Sequence, residues 1–166
     1  ARGKKAFPGL HFQINLLRPK STGTVRLKST NPNDDLQINP NWFSDLSDLN
    51  DLVEGMKHTR EVLSKPSLSK IVSEELLPGK DVKNNEDMKE SIRNHVQTGH
   101  HPASTCAMGS DNNKLAVLDE KLRVKGIQNL RVVDASSFPD MISGNINASV
   151  IMLAEKASDM ILKNLN

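Results

Sequence analysis

Ser143-Gly144-Asn145-Ile146-Asn147-Ala148-Ser149-Val150 runs into the clearest periodicity in the chain. Val150, Leu153, Ala154, Ala157, Met160 and Ile161 recur at helical spacing and make an apolar stripe on one face. Asn147 is the expected N-cap, since its side chain accepts from amides that the first turn leaves without partners. Gly144 permits an unusual backbone conformation or the close approach of a ligand. A helix start also presents N–H donors and a partial positive charge, which suit an anionic group. A simple cap explains Asn147 and leaves Asn145 unaccounted for.

Upstream, Leu130–Val133 predicts a short strand ending in Asp134-Ala135-Ser136. An acidic or small residue there often borders a ligand crevice, although an ordinary strand-to-turn junction fits the spacing equally. Met88, Ile92 and Val96 predict a helix from about Asp87 to Thr98. Leu49, Leu52, Val53, Met56 and Leu63 predict another from about Ser47 to Ser64, capped by Asp45 or Ser47 and stopped by Pro66. Between these helices, Leu76–Asp87 reads as a solvated loop. Nearer the start, His11–Leu16 and Thr24–Lys28 alternate apolar with polar residues, and Pro19–Gly23 supplies turn chemistry for a hairpin between them. Leu36–Ile38 adds a short strand. One polar sheet face is then wet or turned to a cleft. Strands first and helices after give an α+β chain.

Composition narrows the function classes. The chain has 166 residues, enough for about one domain with a sizeable core. Its net charge of +2 argues against a nucleic-acid tail or a polybasic membrane patch. No apolar run approaches the ~18–20 residues of a membrane span. The basic start, Ala1-Arg2-Gly3-Lys4-Lys5, lacks the apolar stretch of a secretory signal, because His11 and Gln13 interrupt it. A single cysteine excludes a disulfide framework and suits a reducing cytosol, so a cytoplasmic location is expected. Aromatic residues are scarce, and the first residue is not Met, so a fragment of a longer protein is expected.

Polar groups concentrate in Thr98-Gly99-His100-His101-Pro102-Ala103-Ser104-Thr105-Cys106-Ala107-Met108-Gly109. Three chemistries compete there. His95, His100, His101 and Cys106 could ligate zinc, but they lack helical i, i+4 spacing or a CxxC knuckle. Cys106 with His101 could form a nucleophile pair, but no neighbour in sequence orients the imidazole. A lone histidine could act as general base near neutral pH without a metal. Against all three stands the plain reading that both histidines are surface or merely packed.

Taken in order, three motifs resemble the C-terminal part of the glucose–methanol–choline (GMC) flavoprotein oxidoreductases, especially the choline-dehydrogenase-like alcohol dehydrogenases. They are His101-Pro102-Ala103-Ser104-Thr105-Cys106-Ala107-Met108-Gly109, the run from Ala116-Val117-Leu118-Asp119 through Leu122-Arg123-Val124-Lys125-Gly126 to Asp134-Ala135-Ser136, and Gly144-Asn145-Ile146-Asn147-Ala148 leading to Glu155-Lys156. Leu17–Leu27 is similar to the family's strand pair entering the substrate domain. The resemblance covers essentially the whole chain. It departs at Ser104, where the family usually has Gly, and at Ser149, where Pro or Thr is frequent. No Gly-x-Gly-x-x-Gly follows a strand, so the unit that holds the ADP half of FAD is missing.

The resemblance implies FAD as cofactor and an alcohol as small-molecule substrate, with hydride passing to the flavin. It implies His101 as the base and Asn145 as the partner of the substrate oxygen. Asp134, Ala135, Gly144, Asn147 and Ala148 would contact the cofactor. It implies residues 1–110 as a portion of the substrate-binding domain and 111–166 as a return to the FAD-binding domain, with the Gly-rich N-terminal portion as the missing partner. No metal, nucleic acid or membrane association is expected. The alternative is a truncated, non-catalytic product that binds no FAD alone.

Overall fold

A computed structural model describes residues 8–163. It is a small α+β structure whose regular elements are β1 (Thr24–Arg26), β2 (Gln37–Asn39), α1 (Leu46–Leu63), α2 (Pro66–Ser69), α3 (Asn85–His95), a 3-10 turn (Ala135–Ser137) and α4 (Asn147–Lys163). Packing divides it into two compact units. One holds the described residues up to Leu16 together with Leu49–Val96, and the other holds Leu17–Asp48 and the described residues from Gln97 onward. This cut differs from the division into 1–110 and 111–166, which follows family function. No helix among the described residues is long and apolar enough to cross a membrane.

In the first unit, α1 buries Leu49, Leu52 and Val53, and α3 buries Met88 and Ile92, as their spacing predicts. Asn84 caps α3 by accepting from the Asp87 amide at 2.9 Å, which starts the helix two residues before the predicted point. Val96 turns extended and ends it short of Thr98. Pro66 opens α2 rather than only stopping α1, because a first-turn residue has no helical N–H bond to lose. The Leu76–Asp87 stretch is pinned more firmly than a solvated loop. Arg60 donates to both carboxylate oxygens of Glu75 at 2.9 and 2.8 Å and to the Val82 carbonyl at 2.7 Å.

The predicted hairpin does not form. His11–Leu16 belongs to no strand. Its alternation instead turns Ile14 and Leu16 inward, and Ile14 lies so close to Gly55 that an added Cβ there would meet its side chain at 2.6 Å. Alternation marks which side chains are buried; a strand also needs a backbone partner. In the second unit β1 finds its partner in β2, antiparallel, with Val25 opposite Ile38, one residue later than the strand expected at Leu36–Ile38. The 19–23 segment is not a hairpin turn, because its amides are taken by a buried carboxylate. Asp48, 2% exposed, accepts from the Lys20 amide at 2.9 Å and the Ser21 amide at 2.8 Å.

The core of the second unit consists of Leu118, Leu122, Phe138, Leu153 and Ala157. The strand expected at Leu130–Val133 shrinks to one antiparallel bridge, Arg123 to Arg131, flanked by bonds from Val124 N to Leu130 O and from Val132 N to Leu122 O. α4 buries Leu153 and Ala157, while Ala154 is exposed, so its apolar stripe is narrower than its spacing suggested. Asn147 is its first helical residue rather than the cap. The Ile146 carbonyl accepts the first helical bond, from Val150, which moves the cap position one residue upstream.

Candidate active site

His101 lies half-buried in an irregular segment of the second unit. That segment is laced to the 3-10 turn by three backbone bonds: Ser104 N to Ala135 O at 3.2 Å, Cys106 N to Ser136 O at 3.0 Å, and Met108 N to Ser137 O at 3.0 Å. The turn is shaped by Asp134 and Ser137. Asp134 accepts from the Ser136 amide at 2.8 Å and from the Ser136 hydroxyl, and the Asp134 amide donates to the Ser137 hydroxyl at 3.4 Å, completing a capping box. Ser137, fully buried, donates its hydroxyl to the Val132 carbonyl at 2.8 Å. One Asp134 oxygen is therefore committed to local structure, and so is the Ala135 carbonyl.

The third segment adopts the backbone that its glycine foretold. Gly144 has φ +147°, and nothing lies within 4 Å of a Cβ built on it, so the requirement is conformational rather than spatial. Asn145, Asn147 and Ala148 are exposed, and the first turn of α4 carries no acidic residue. The three segments share an anchor. Ala103 and Cys106 beside His101, Ala135 beside Asp134, and Ile146 beside Asn145 all pack against the Leu118–Phe138–Leu153 core. Residues remote in sequence are thus brought to one hydrophobic cluster.

Ser104 departs from the usual family glycine for a cost that the structure makes visible. Its φ is +68°, a left-handed conformation natural for Gly, and its hydroxyl is buried without a hydrogen-bond partner among the described residues. The substitution is legible in the sequence, and the conformation is not. Ser137 was invisible for a different reason: a buried hydroxyl that ties a turn leaves no pattern in spacing.

The competing chemistries at the histidine segment lose support. Among the described residues no three His, Cys, Asp or Glu side chains gather as a metal would require. The Cys106 thiol packs half-buried against the apolar cluster, with no bond to His101, which is the setting of an inert thiol.

An α+β core thus gathers a histidine segment, an Asp-capped turn and a Gly-Asn helix start. The family model described as GMC oxidoreductase matches residues 19–154, and the chain belongs to that family. It is 41% identical to an oxygen-dependent choline dehydrogenase of Vibrio vulnificus over 96% of this chain and 29% of that protein. It is 39% identical to an alcohol dehydrogenase [acceptor] of Pseudomonas putida over 99% of this chain and 30% of that one. Among solved structures, a formate oxidase of Aspergillus oryzae, studied for modification of its FAD, superposes with a TM-score of 0.83 at 32% identity, over 90% of this chain and 26% of that one. The chain spans less than a third of the length of these relatives.

Proposed function

We propose that these residues are the C-terminal portion of an FAD-dependent oxidoreductase acting on CH–OH groups, with His101 as base and Asn145 as partner of the substrate oxygen. The observation that carries this reading is the common core beneath the His101, Asp134 and Asn145 segments. The names of the relatives, a choline dehydrogenase and an alcohol dehydrogenase, support the reaction class.

The residues fit a flavin. The exposed start of α4, with N–H donors at Asn147 and Ala148 and no carboxylate in its first turn, suits an electron-rich ring edge. Gly144, Asp134 and Ala135 would complete the contacts, Asp134 through the oxygen its turn leaves uncommitted. When bound, the flavin supplies the acceptor for hydride from the alcohol carbon. The chain handles the proton and the charge. An imidazole nitrogen of His101 takes the hydroxyl proton, which a side chain charged at all working pH could not do. The Asn145 amide donates to the substrate oxygen and meets the negative charge as it develops. Residues 1–110 would contribute to the substrate side and 111–166 to the cofactor side. A reducing cytosol suits the single thiol.

In the complete protein, His101→Ala lowers turnover by ~10²–10⁴ with flavin still bound, the span for losing a positioned acid–base group. Turnover near the unaltered rate with flavin in place would remove His101 from the chemistry. A second reading, that the 166 residues alone are a non-catalytic fragment, is favoured by their span of under a third of the relatives and by the missing Gly-rich unit. The visible spectrum tests the second reading: flavin bands from this chain alone would contradict it, and a colourless preparation beside a yellow complete protein supports it.

A further inference from the structure

The 119–131 turn borders a shallow, open hollow of about 510 Å³ whose charged lining is Lys121, Arg123, Lys125 and Arg131 against one carboxylate, Asp119. Two of these cations are already spent. Arg123 donates to Asp119 at 2.8 Å, and Lys125 reaches the Ser110 carbonyl at 2.9 Å and Asp111 at 3.4 Å. Arg131 is different. Its Nε is buried and has no hydrogen-bond partner among the described residues. It also sits directly opposite Arg123 across an antiparallel bridge, an arrangement that like charges disfavour. A guanidinium with one nitrogen buried and unpaired is costly, and an anion at its remaining nitrogens would offset that cost. Beside it, Ile127 and Leu130 are 56% and 46% exposed, apolar surface on the same turn.

We infer that this hollow is a docking surface for an acidic side chain, an Asp or Glu carboxylate from the part of the enzyme outside these residues, which Arg131 grips while Ile127 and Leu130 cover apolar surface. The inference rests on the reading that this chain is part of a longer GMC enzyme. Charge complementarity favours this occupant, and so does the length of the relatives, more than two-thirds of which lies beyond the stretch matched here. Arg suits the task because its planar fork engages a carboxylate through two parallel bonds.

The test uses the complete protein carrying Arg131→Lys, treated with a water-soluble carbodiimide, which joins an amine to a carboxylate only in contact. Mass spectrometry should find position 131 joined to an Asp or Glu outside the 166 residues. In parallel, Arg131→Met should lower the folding equilibrium constant of the complete protein about tenfold while flavin content is kept. Joining only to carboxylates within the 166 residues, or an unchanged equilibrium in Arg131→Met, overturns the inference. So would protection by inorganic phosphate of the unaltered protein but not of Arg131→Met, which assigns the hollow to a free anion. Failure of the complete protein to hold any flavin would instead strike the functional reading, a separate result.

Discussion

The two units of the chain are held together by different physics. The first relies on helix faces: Leu49, Leu52 and Val53 on α1, and Met88 and Ile92 on α3, with Arg60 pinning the connecting segment through Glu75. The second has one long helix, the short β1–β2 pair and otherwise irregular backbone. Its order comes from polar groups placed at turns: the Asp48 carboxylate on the Lys20 and Ser21 amides, Asp119 on the Lys121 and Arg123 amides, and Ser137 on the Val132 carbonyl. Candidate chemistry lies in the second unit. Irregular backbone places side chains at angles that a helix face cannot offer, and individual hydrogen bonds then supply the rigidity that periodic structure would otherwise give.

This contrast can be broken experimentally. The largest effect separates chemistry from packing: His101→Ala, with its loss of two to four decades in turnover, should change the unfolding free energy by no more than about 0.5 kcal/mol. A large stability loss would make His101 part of the scaffold. Next comes Asp48→Ala, expected to cost about 3 kcal/mol in urea unfolding of the complete protein, since two part-buried amides lose a charged acceptor. Arg60→Ala should cost about 2 kcal/mol by the same measurement, less because the Arg60 and Glu75 side chains are about one-quarter exposed. If Arg60→Ala proved the more damaging, the contrast drawn between the units would be reversed.

Acid should act on the second unit first. For Asp48, burial alone would raise the pKa, but the Lys20 and Ser21 donors outweigh it and hold the carboxyl below the ordinary aspartate value near 3.8. For Asp119, burial is likewise outweighed, by the bonds from Arg123 and Lys121. A lowered folded-state pKa contributes stability that is complete above about pH 4 and is lost as pH falls through the folded value. Hydrogen exchange between pH 5 and pH 3 should therefore open amides at Lys20, Ser21, Lys121 and Arg123 before those of α3. The smallest expected effect is a gain. Ser104→Gly should stabilise by about 1 kcal/mol in thermal unfolding, because Gly accepts φ +68° and removes a buried hydroxyl without a partner.

What the sequence disclosed follows the same division. Helix α1 came within one residue at each end, and α4 was placed by its stripe, because burial of a helix face imposes a period that survives in the side chains. Strand partners were not legible. His11–Leu16 and Thr24–Lys28 both alternate, yet only the second pairs, and its partner is Gln37–Asn39, since pairing depends on where amides find acceptors across a gap that alternation does not encode. The Gly144 conformation was foreseen from the residue itself, while the left-handed Ser104 could not be, because serine carries no mark of a positive φ. The buried nitrogen of Arg131 became visible only once its neighbours were in place.

A double-mutant cycle on the complete enzyme tests whether His101 and Asn145 share one site, with kcat/KM for alcohol oxidation compared among the unaltered protein, His101→Ala, Asn145→Ala and the pair. If both side chains act on one oxygen, the losses are strongly non-additive, with a coupling of roughly 1–3 kcal/mol. Losses that add to within about 0.5 kcal/mol would contradict a shared site.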